Sequence, residues 1–363
     1  MRIGHILFSL DAGGTERLAL RLARYWSDYM HNFLAYQRGS GLLEHEASQI
    51  GSVQIAEMTR MGGAGPWFRA VLRFLKISRP DAVLIHGFGV HHVLAAFACR
   101  VQGIARIACT AGNMTPTSAA GRARWAGVIL LSRLLGCPIA SCSSAVERSL
   151  RDLRVGMPSG SRVIPNGIEV PNPELPQRAT SLKNKRNVVG MVARLDTIKD
   201  HATLLKAFAL LRRKNALAEL WIIGDGPERG LLEGMASTLR VDQSVRFLGR
   251  QLDVFALLRK IDLFAFSTTI AEGFGIALTE AMIAGVPIVA SDVPATREVL
   301  EGGKAGILVE AGNATAMYEA INEMMEDSGL AAKYAEAALL RVRREYSIEN
   351  CAERWLMMIS DRS

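Results

Sequence analysis

Apolar residues along this chain come in short runs, each followed by a longer segment in which they return every three or four positions. That rhythm reads as a strand followed by a helix, repeated. In the first half, residues 2–10 form a strand, and Asp11-Ala12-Gly13-Gly14-Thr15 leads into a helix over 16–29. Short strands are expected at 31–36 and 53–56, then a flexible glycine turn over 62–66 and a helix over 67–76. Residues 81–86 are a buried strand that turns into a helix carrying His91 and His92. Strands at 105–110, 138–143 and 162–164 follow, with a largely apolar helix over 121–135.

The second half repeats the rhythm. Strands are expected at 187–194, 220–224, 245–249, 261–267, 286–290 and 306–309. Helices are expected at 201–214, 228–240 (with Pro227 in its first turn), 276–283 and 313–326, and a last helix runs over 347–359. Pro171, Pro173, Pro176 and the polar run to Arg186 form the proline-rich stretch between these series, which places a domain boundary there. The expected organisation is therefore an α/β fold with two doubly wound parallel sheets: 1–170, a linker over 171–186, and 187–346, with 347–363 as a terminal helical segment. A length of 363 residues suits two such domains.

Composition adds little until charge is divided along the chain. At 49% hydrophobic and 21% charged, the protein is globular. Its five cysteines lack the paired short spacing of a zinc site or a disulfide framework, so they read as buried hydrophobes in a reducing compartment. The apolar start, 3–10, is too short for a signal peptide, and the apolar run 125–142 is broken by Arg133, so a cytoplasmic protein is expected. Residues 1–175 carry 19 Lys and Arg against 11 Asp and Glu, whereas 176–363 carry 24 of each. The whole excess of +8 thus lies in the first half and calls for an anionic partner there. No RNA-binding or helix-turn-helix signature accompanies it, so nucleic acid is not expected. The helices over 67–76 and 121–135 combine arginines with Trp67, Phe68, Trp125 and aliphatic residues, and read either as core with an arginine edge or as a peripheral contact with an anionic membrane surface.

Several residue patterns carry candidate chemistry. Gly13 and Gly14, between a strand and a helix, let backbone approach a phosphate or a sugar. Arg194 and Lys199, five apart where a strand gives way to a helix, can converge on a diphosphate, though solvated cations are the commoner fate of such pairs. Glu272 and Glu280 flank a Gly-Phe-Gly turn and a helix start, a spacing that ordinary surface glutamates also satisfy. His86, His91 and His92 read as a helix cap and packed rings in the absence of a carboxylate partner.

The stretch AEGFGIALTEAMIAGVP (271–287), continuing through IVASD to Glu298 in TREV, resembles the Glu-x7-Glu signature of family 4 glycosyltransferases. MVARLDTIKD resembles that family's diphosphate-binding segment, GDGPE is a family phrase, and PNGI resembles the turn before its linker. The likeness is strong over the second half of the chain and weak over the first.

The resemblance implies a GT-B fold, two Rossmann-like domains facing across a cleft with the last helix crossing back onto the first domain. It implies a hexosyltransferase that moves sugar from a nucleoside diphosphate sugar to a hydroxyl with retention, in bacterial cell-surface polysaccharide or glycolipid assembly. Arg194 and Lys199 would hold the diphosphate, Glu272 a hydroxyl of the transferred sugar and Glu280 the ribose. The backbone of Phe274, Gly275 and Ile276 would line sugar and phosphates, Arg250 lies where relatives hold the base, and Gly13 and Gly14 would face the donor. No cofactor is implied, and without an Asp-x-Asp sequence no metal clamp is suggested. The expected partners are the nucleotide sugar and a glycan or lipid-linked acceptor, with an anionic membrane surface as a further candidate. One departure stands out: many members carry a histidine after the strand ending near 110, where this chain has Gly112, with Asn113 the nearest polar substitute. A sugar-nucleotide epimerase of the same architecture, or a non-catalytic nucleotide-sugar-binding relative, is the alternative reading.

Overall fold

The computed structural model describes residues 1–11, 13–37, 39, 41–57, 64–170 and 187–360. The linker expected over 171–186 lies outside the described residues, as do Gly62, Gly63 and the last three residues. The chain divides into two compact units, Met1–Glu169 with Ile348–Ser363, and Val170–Ser347.

The first unit alternates β1 (Arg2–Leu7), α1 (Gly14–Tyr25), β2 (Met30–Gln37), α2 (Glu44–Ile50), β3 (Ser52–Glu57), α3 (Ala64–Ser78), β4 (Ala82–Ile85) and α4 (Val90–Val101). It continues with β5 (Arg106–Ala111), α5 (Ala119–Leu134), β6 (Ile139–Ser141), α6 (Ser144–Arg151) and β7 (Arg162–Val163). Among the described residues its strands form one parallel sheet in the order β3-β2-β1-β4-β5-β6-β7. Helices cover both faces of such a sheet, so its central strands are largely apolar, as in the fully buried Ala82–Ile85.

The second unit runs β8 (Val188–Val192), α7 (His201–Lys214), β9 (Glu219–Ile223), α8 (Arg229–Thr238), β10 (Val245–Gly249), α9 (Val254–Leu258), β11 (Leu263–Phe266) and α10 (Ile276–Ile283). It ends with β12 (Ile288–Ser291), α11 (Pro294–Val299), β13 (Ile307–Val309), α12 (Ala314–Glu326) and α13 (Ser328–Glu345). Its described strands form a parallel sheet in the order β10-β9-β8-β11-β12-β13, the dinucleotide-fold order. The last helix, α14 (Ile348–Ser360), returns to the first unit, where Ile348, Cys351, Trp355 and Met358 join Leu18, Leu22, Trp26 and Leu84 in one core. It approaches so closely that a Cβ on Gly167 would stand 2.6 Å from that of Cys351.

Several expected boundaries move, each for a local reason. Helix α1 includes Gly14 and stops at Tyr25, because Trp26 turns into the core. Helix α3 begins at Ala64, so Gly65 and Pro66 belong to its first turn, where a missing N–H costs nothing. Pro227 precedes rather than opens α8, whose N-cap is Glu228. Helix α2 buries Ala47 alone and is too short to show a period. The histidines behave as cap and packed rings: Gly89 N–H donates to His92 Nδ1 at 2.9 Å, and His91 stands edge-on to Trp67. All five cysteines are free and buried.

Candidate active site

In the second unit the strand order reverses between β8 and β11, so the loops leaving their carboxyl ends part around the crevice where doubly wound sheets bind ligands. Arg194 and Lys199 lie on the first of these loops, between β8 and α7, and Glu272 lies on the second, between β11 and α10. The structure joins them. The Thr269 N–H donates to the Ile198 carbonyl at 2.9 Å, the Thr268 hydroxyl lies 3.0 Å from the same oxygen, and the Lys199 ammonium is paired with Glu272 Oε2.

The first loop is shaped by Asp196. Its Oδ1 accepts from the N–H groups of Ile198 and Lys199 at 3.0 and 3.2 Å, and its Oδ2 accepts from Arg194 Nε at 2.6 Å. One carboxylate therefore fixes the turn that carries Lys199 and tethers the guanidinium of Arg194, which is 71% exposed. The Lys199 carbonyl is held by two donors from His201, its N–H at 2.6 Å and its Nδ1–H at 2.7 Å. With Nδ1 committed as donor, Nε2 is an acceptor, and it is buried without a partner. Burial lowers the His201 pKa to about 4, so the ring stays neutral beside the two cations.

The same loop is stitched to GDGPE. Leu195 N–H donates to the Asp225 carbonyl at 3.1 Å and Glu228 N–H to the Leu195 carbonyl at 3.0 Å. This closeness explains Gly224: its φ is +139°, and a Cβ there would fall 1.9 Å from the Ala193 carbonyl oxygen.

Glu272 is the buried member of the site. Beyond the Lys199 ammonium, its Oε2 lies 3.2 Å from the Thr268 hydroxyl, and its Oε1 accepts from the Phe274 N–H at 3.3 Å. The Lys199 ammonium also stands 5.0 Å from the centre of the Phe266 ring. Gly275 caps α10 with φ +83°, a left-handed turn that glycine enters at no steric cost, and Ile276 opens the helix. The first N–H groups of α10 therefore face the crevice, an arrangement suited to an anion. Phe274 is buried and packs edge-on against Tyr346. Glu280 sits half-buried in the second turn of α10.

The remaining candidates lie on other elements of the chain. Arg250 is exposed just past β10, whose last residue, Gly249, accepts the Gly224 N–H at 2.9 Å. Gly13 and Gly14 belong to the first unit, where Gly13 is the N-cap of α1. Also in the first unit, exposed Gly112 follows β5, with open space where its Cβ would be.

Asp196, Thr268 and His201 were not among the residues singled out from sequence. Asp196 could have been: an Asp two and three residues before the amides it caps is a recurrent turn device. Thr268 and His201 act through contacts that no spacing announces. Among the described residues, no group of three or more His, Cys, Asp or Glu side chains is disposed to hold a metal ion.

Two family descriptions match the chain: Glycosyltransferase Family 4 over residues 12–171 and Glycosyl transferases group 1 over 174–341. EpsF of Bacillus subtilis is 25% identical over 305 residues, 80% of this chain and 79% of EpsF. The phosphatidyl-myo-inositol mannosyltransferase of Mycolicibacterium smegmatis is 34% identical over 184 residues, 50% of this chain and 47% of that enzyme. The lipopolysaccharide core biosynthesis glycosyltransferase LpsE of Rhizobium meliloti is 28% identical over 181 residues, 47% of this chain and 53% of its own. These last two alignments thus span about half of each relative. In fold, the chain is similar to Anabaena HepE, solved with UDP and glucose, at a TM-score of 0.83 and 20% identity over the whole of both chains.

Proposed function

The chain belongs to the group 1 glycosyltransferases of family 4, and we propose that it moves a sugar from a nucleoside diphosphate sugar to a hydroxyl acceptor with retention of configuration. The observation that carries this reading is the pair of loops at the second unit's switch point, where one carboxylate organises Arg194 and Lys199 and a second, Glu272, faces the lysine. A diphosphate leaving group develops negative charge as its bond to the sugar breaks. Two fixed cations and a helix N-terminus stabilise that charge without reorganising at the moment of reaction. Glu272 would accept a hydrogen bond from a sugar hydroxyl, Glu280 from the ribose, and the amides near Phe274, Gly275 and Ile276 would meet phosphate and sugar oxygens. Arg250 would lie beside the base, and Gly13 and Gly14 would face the donor from the first unit.

In this scheme the cations do the work a divalent metal does elsewhere, so transfer persists in excess EDTA; loss on chelation, restored by magnesium, would overturn that part. The names of two relatives support an acceptor class: the mannosyltransferase is named for phosphatidyl-myo-inositol and LpsE for lipopolysaccharide core. A glycan or lipid-linked acceptor in cell-surface polysaccharide or glycolipid assembly is the reading they favour, with the basic first unit meeting an anionic membrane surface.

Radiolabelled nucleotide sugars incubated with the protein and a membrane extract test the whole. Label moving into the extract supports transfer, an isomerised nucleotide sugar without acceptor points to an epimerase, and retention of the donor unchanged points to a binding protein.

A further inference from the structure

An open cavity of about 620 Å³ lies at the edge of the first unit's sheet where its strands begin. The site loops of such folds gather at the other edge, where strands end. Arg2 opens β1, Arg106 opens β5, and Lys76, Arg79 and Asp81 lie on the stretch from the end of α3 to the start of β4. Because the sheet order is β1-β4-β5, Arg2 and Arg106 flank the strand that follows Asp81. Gln102 adds an amide from the α4–β5 loop.

The charges do not balance within the cavity. Asp81 is its one carboxylate and belongs to Arg2: it accepts the Arg2 N–H at 2.7 Å and lies 3.8 Å from the guanidinium. Lys76, Arg79 and Arg106 form no ion pair with any described residue. Cations near the end of α3 complement its dipole, which accounts for Lys76 and Arg79 in part. The same argument does not reach Arg106. Helix α4, which ends nearby, already has Arg100 in its last turn, bonded to the carbonyls of Ile104, Ala105, Leu135 and Gly136. Three uncompensated cations around one concavity repel one another, and a bound anion of two or more charges removes that repulsion.

We propose that this cavity binds a phosphate ester or diphosphate group, separately from the donor site. Guanidinium groups from two elements suit a multiply charged phosphoryl group, which Arg79 and Arg106 can hold bidentately while Lys76 adds a compact charge. The volume falls in the range of small-molecule sites, roughly 300–1,000 Å³. The phosphoryl group is carried either by a soluble ligand or by a phospholipid headgroup; the apolar side chains of Ile77 and Val101, each more than half exposed on the neighbouring helices, suit the second source.

The test is equilibrium binding of inorganic pyrophosphate to a protein carrying Arg194→Ala and Lys199→Ala, so that the donor clamp does not contribute. Pyrophosphate should still bind, and adding Lys76→Gln, Arg79→Asn and Arg106→Gln should weaken it at least tenfold. Asn is chosen at position 79 because the backbone there has φ +42°, a conformation Asn tolerates. Rising salt should weaken binding further. Absence of pyrophosphate binding in the clamp-disabled protein, or binding indifferent to the three substitutions, overturns the site. Phosphatidylglycerol vesicles identify the source: co-sedimentation lost with the triple substitution assigns a lipid headgroup, and co-sedimentation unchanged by it assigns a soluble phosphate ester.

Discussion

The Lys199 ammonium and the Glu272 carboxylate pair across the two switch-point loops, with the lysine side chain 19% exposed and the glutamate 7%. Truncating the lysine therefore does two things at once. It removes the proposed diphosphate ligand, and it leaves the Glu272 carboxylate without its partner in a nearly closed site. Lys199→Ala should cost about 2–4 kcal/mol of stability, toward the lower end because the lysine keeps some contact with water. Lys199→Met with Glu272→Gln should restore most of that stability without restoring transfer. Urea unfolding of Lys199→Met, Glu272→Gln and the double measures the coupling; strict additivity would show that the pair carries no stability. Arg194→Ala, at a side chain 71% exposed, should unfold like the parent and still lose on the order of 10²–10³ in kcat.

Asp196 separates shape from charge. Asp196→Asn keeps an oxygen for the Ile198 and Lys199 amides and loses the ion pair to Arg194, whereas Asp196→Ala loses both. Turnover should fall about tenfold or more with Ala, the scale of a lost cap and a misplaced cation, and by clearly less with Asn. Equal effects would mean that the turn does not need the cap.

Histidine burial sets an acid limit on stability. His31 Nε2 lies 3.0 Å from the Trp26 carbonyl, which only accepts, so that nitrogen carries the proton. His5 Nε2–H must then donate to His31 Nδ1 and His86 Nε2–H to His5 Nδ1, leaving His86 Nδ1 buried without a partner. Burial pushes His5 well below the usual imidazole range, His86 to about 3, and His92 and His201 to about 4. These rings are neutral when folded and bind protons when unfolded below about pH 6.5. Their contribution is complete above that pH and is lost progressively as pH falls toward the folded values, by at most about 1.4 kcal/mol per pH unit for each ring. The melting temperature should drop steeply between pH 6.5 and pH 5, with proton uptake on unfolding; a flat profile would contradict the neutral chain.

Much of this architecture was legible because strands buried on both faces leave uninterrupted apolar runs. Helices 201–214 and 276–283 and strand 245–249 have the bounds their patterns predict. Elements with little to bury were not legible: α2, with only Ala47 inside, and five-residue α9, with only Leu258, show no period. The site residues on the switch-point loops stood out because loops carry chemistry in fixed phrases. Their supports did not, since Thr268 reaches Glu272 and His201 holds Lys199 through geometry set by the sheet. Aromatic residues misled. Trp67, grouped in sequence with arginines as a membrane-facing residue, is fully buried with its indole N–H on the His91 carbonyl, and Trp125 is packed against Phe88.

That correction moves the expected membrane contact from tryptophans to leucines. On α5, Leu130, Leu131 and Leu134 are 47%, 47% and 74% exposed, and exposed Arg124 lies two turns before Leu131 on the same face. No helix among the described residues is long and apolar enough to cross a membrane. A few cations at about 1 kcal/mol each near anionic lipid, with two or three leucines dipping into the interface, give reversible docking. Leu131→Gln with Leu134→Gln should weaken co-sedimentation with phosphatidylglycerol vesicles several-fold while leaving the melting temperature near that of the parent, because these side chains are already in water. Neutral phosphatidylcholine vesicles should bind poorly, and salt should release the protein from the anionic ones. If the leucine pair proves indifferent, α5 is not the contact. If the parent stays in the supernatant at low ionic strength, the acceptor reaches this protein from solution.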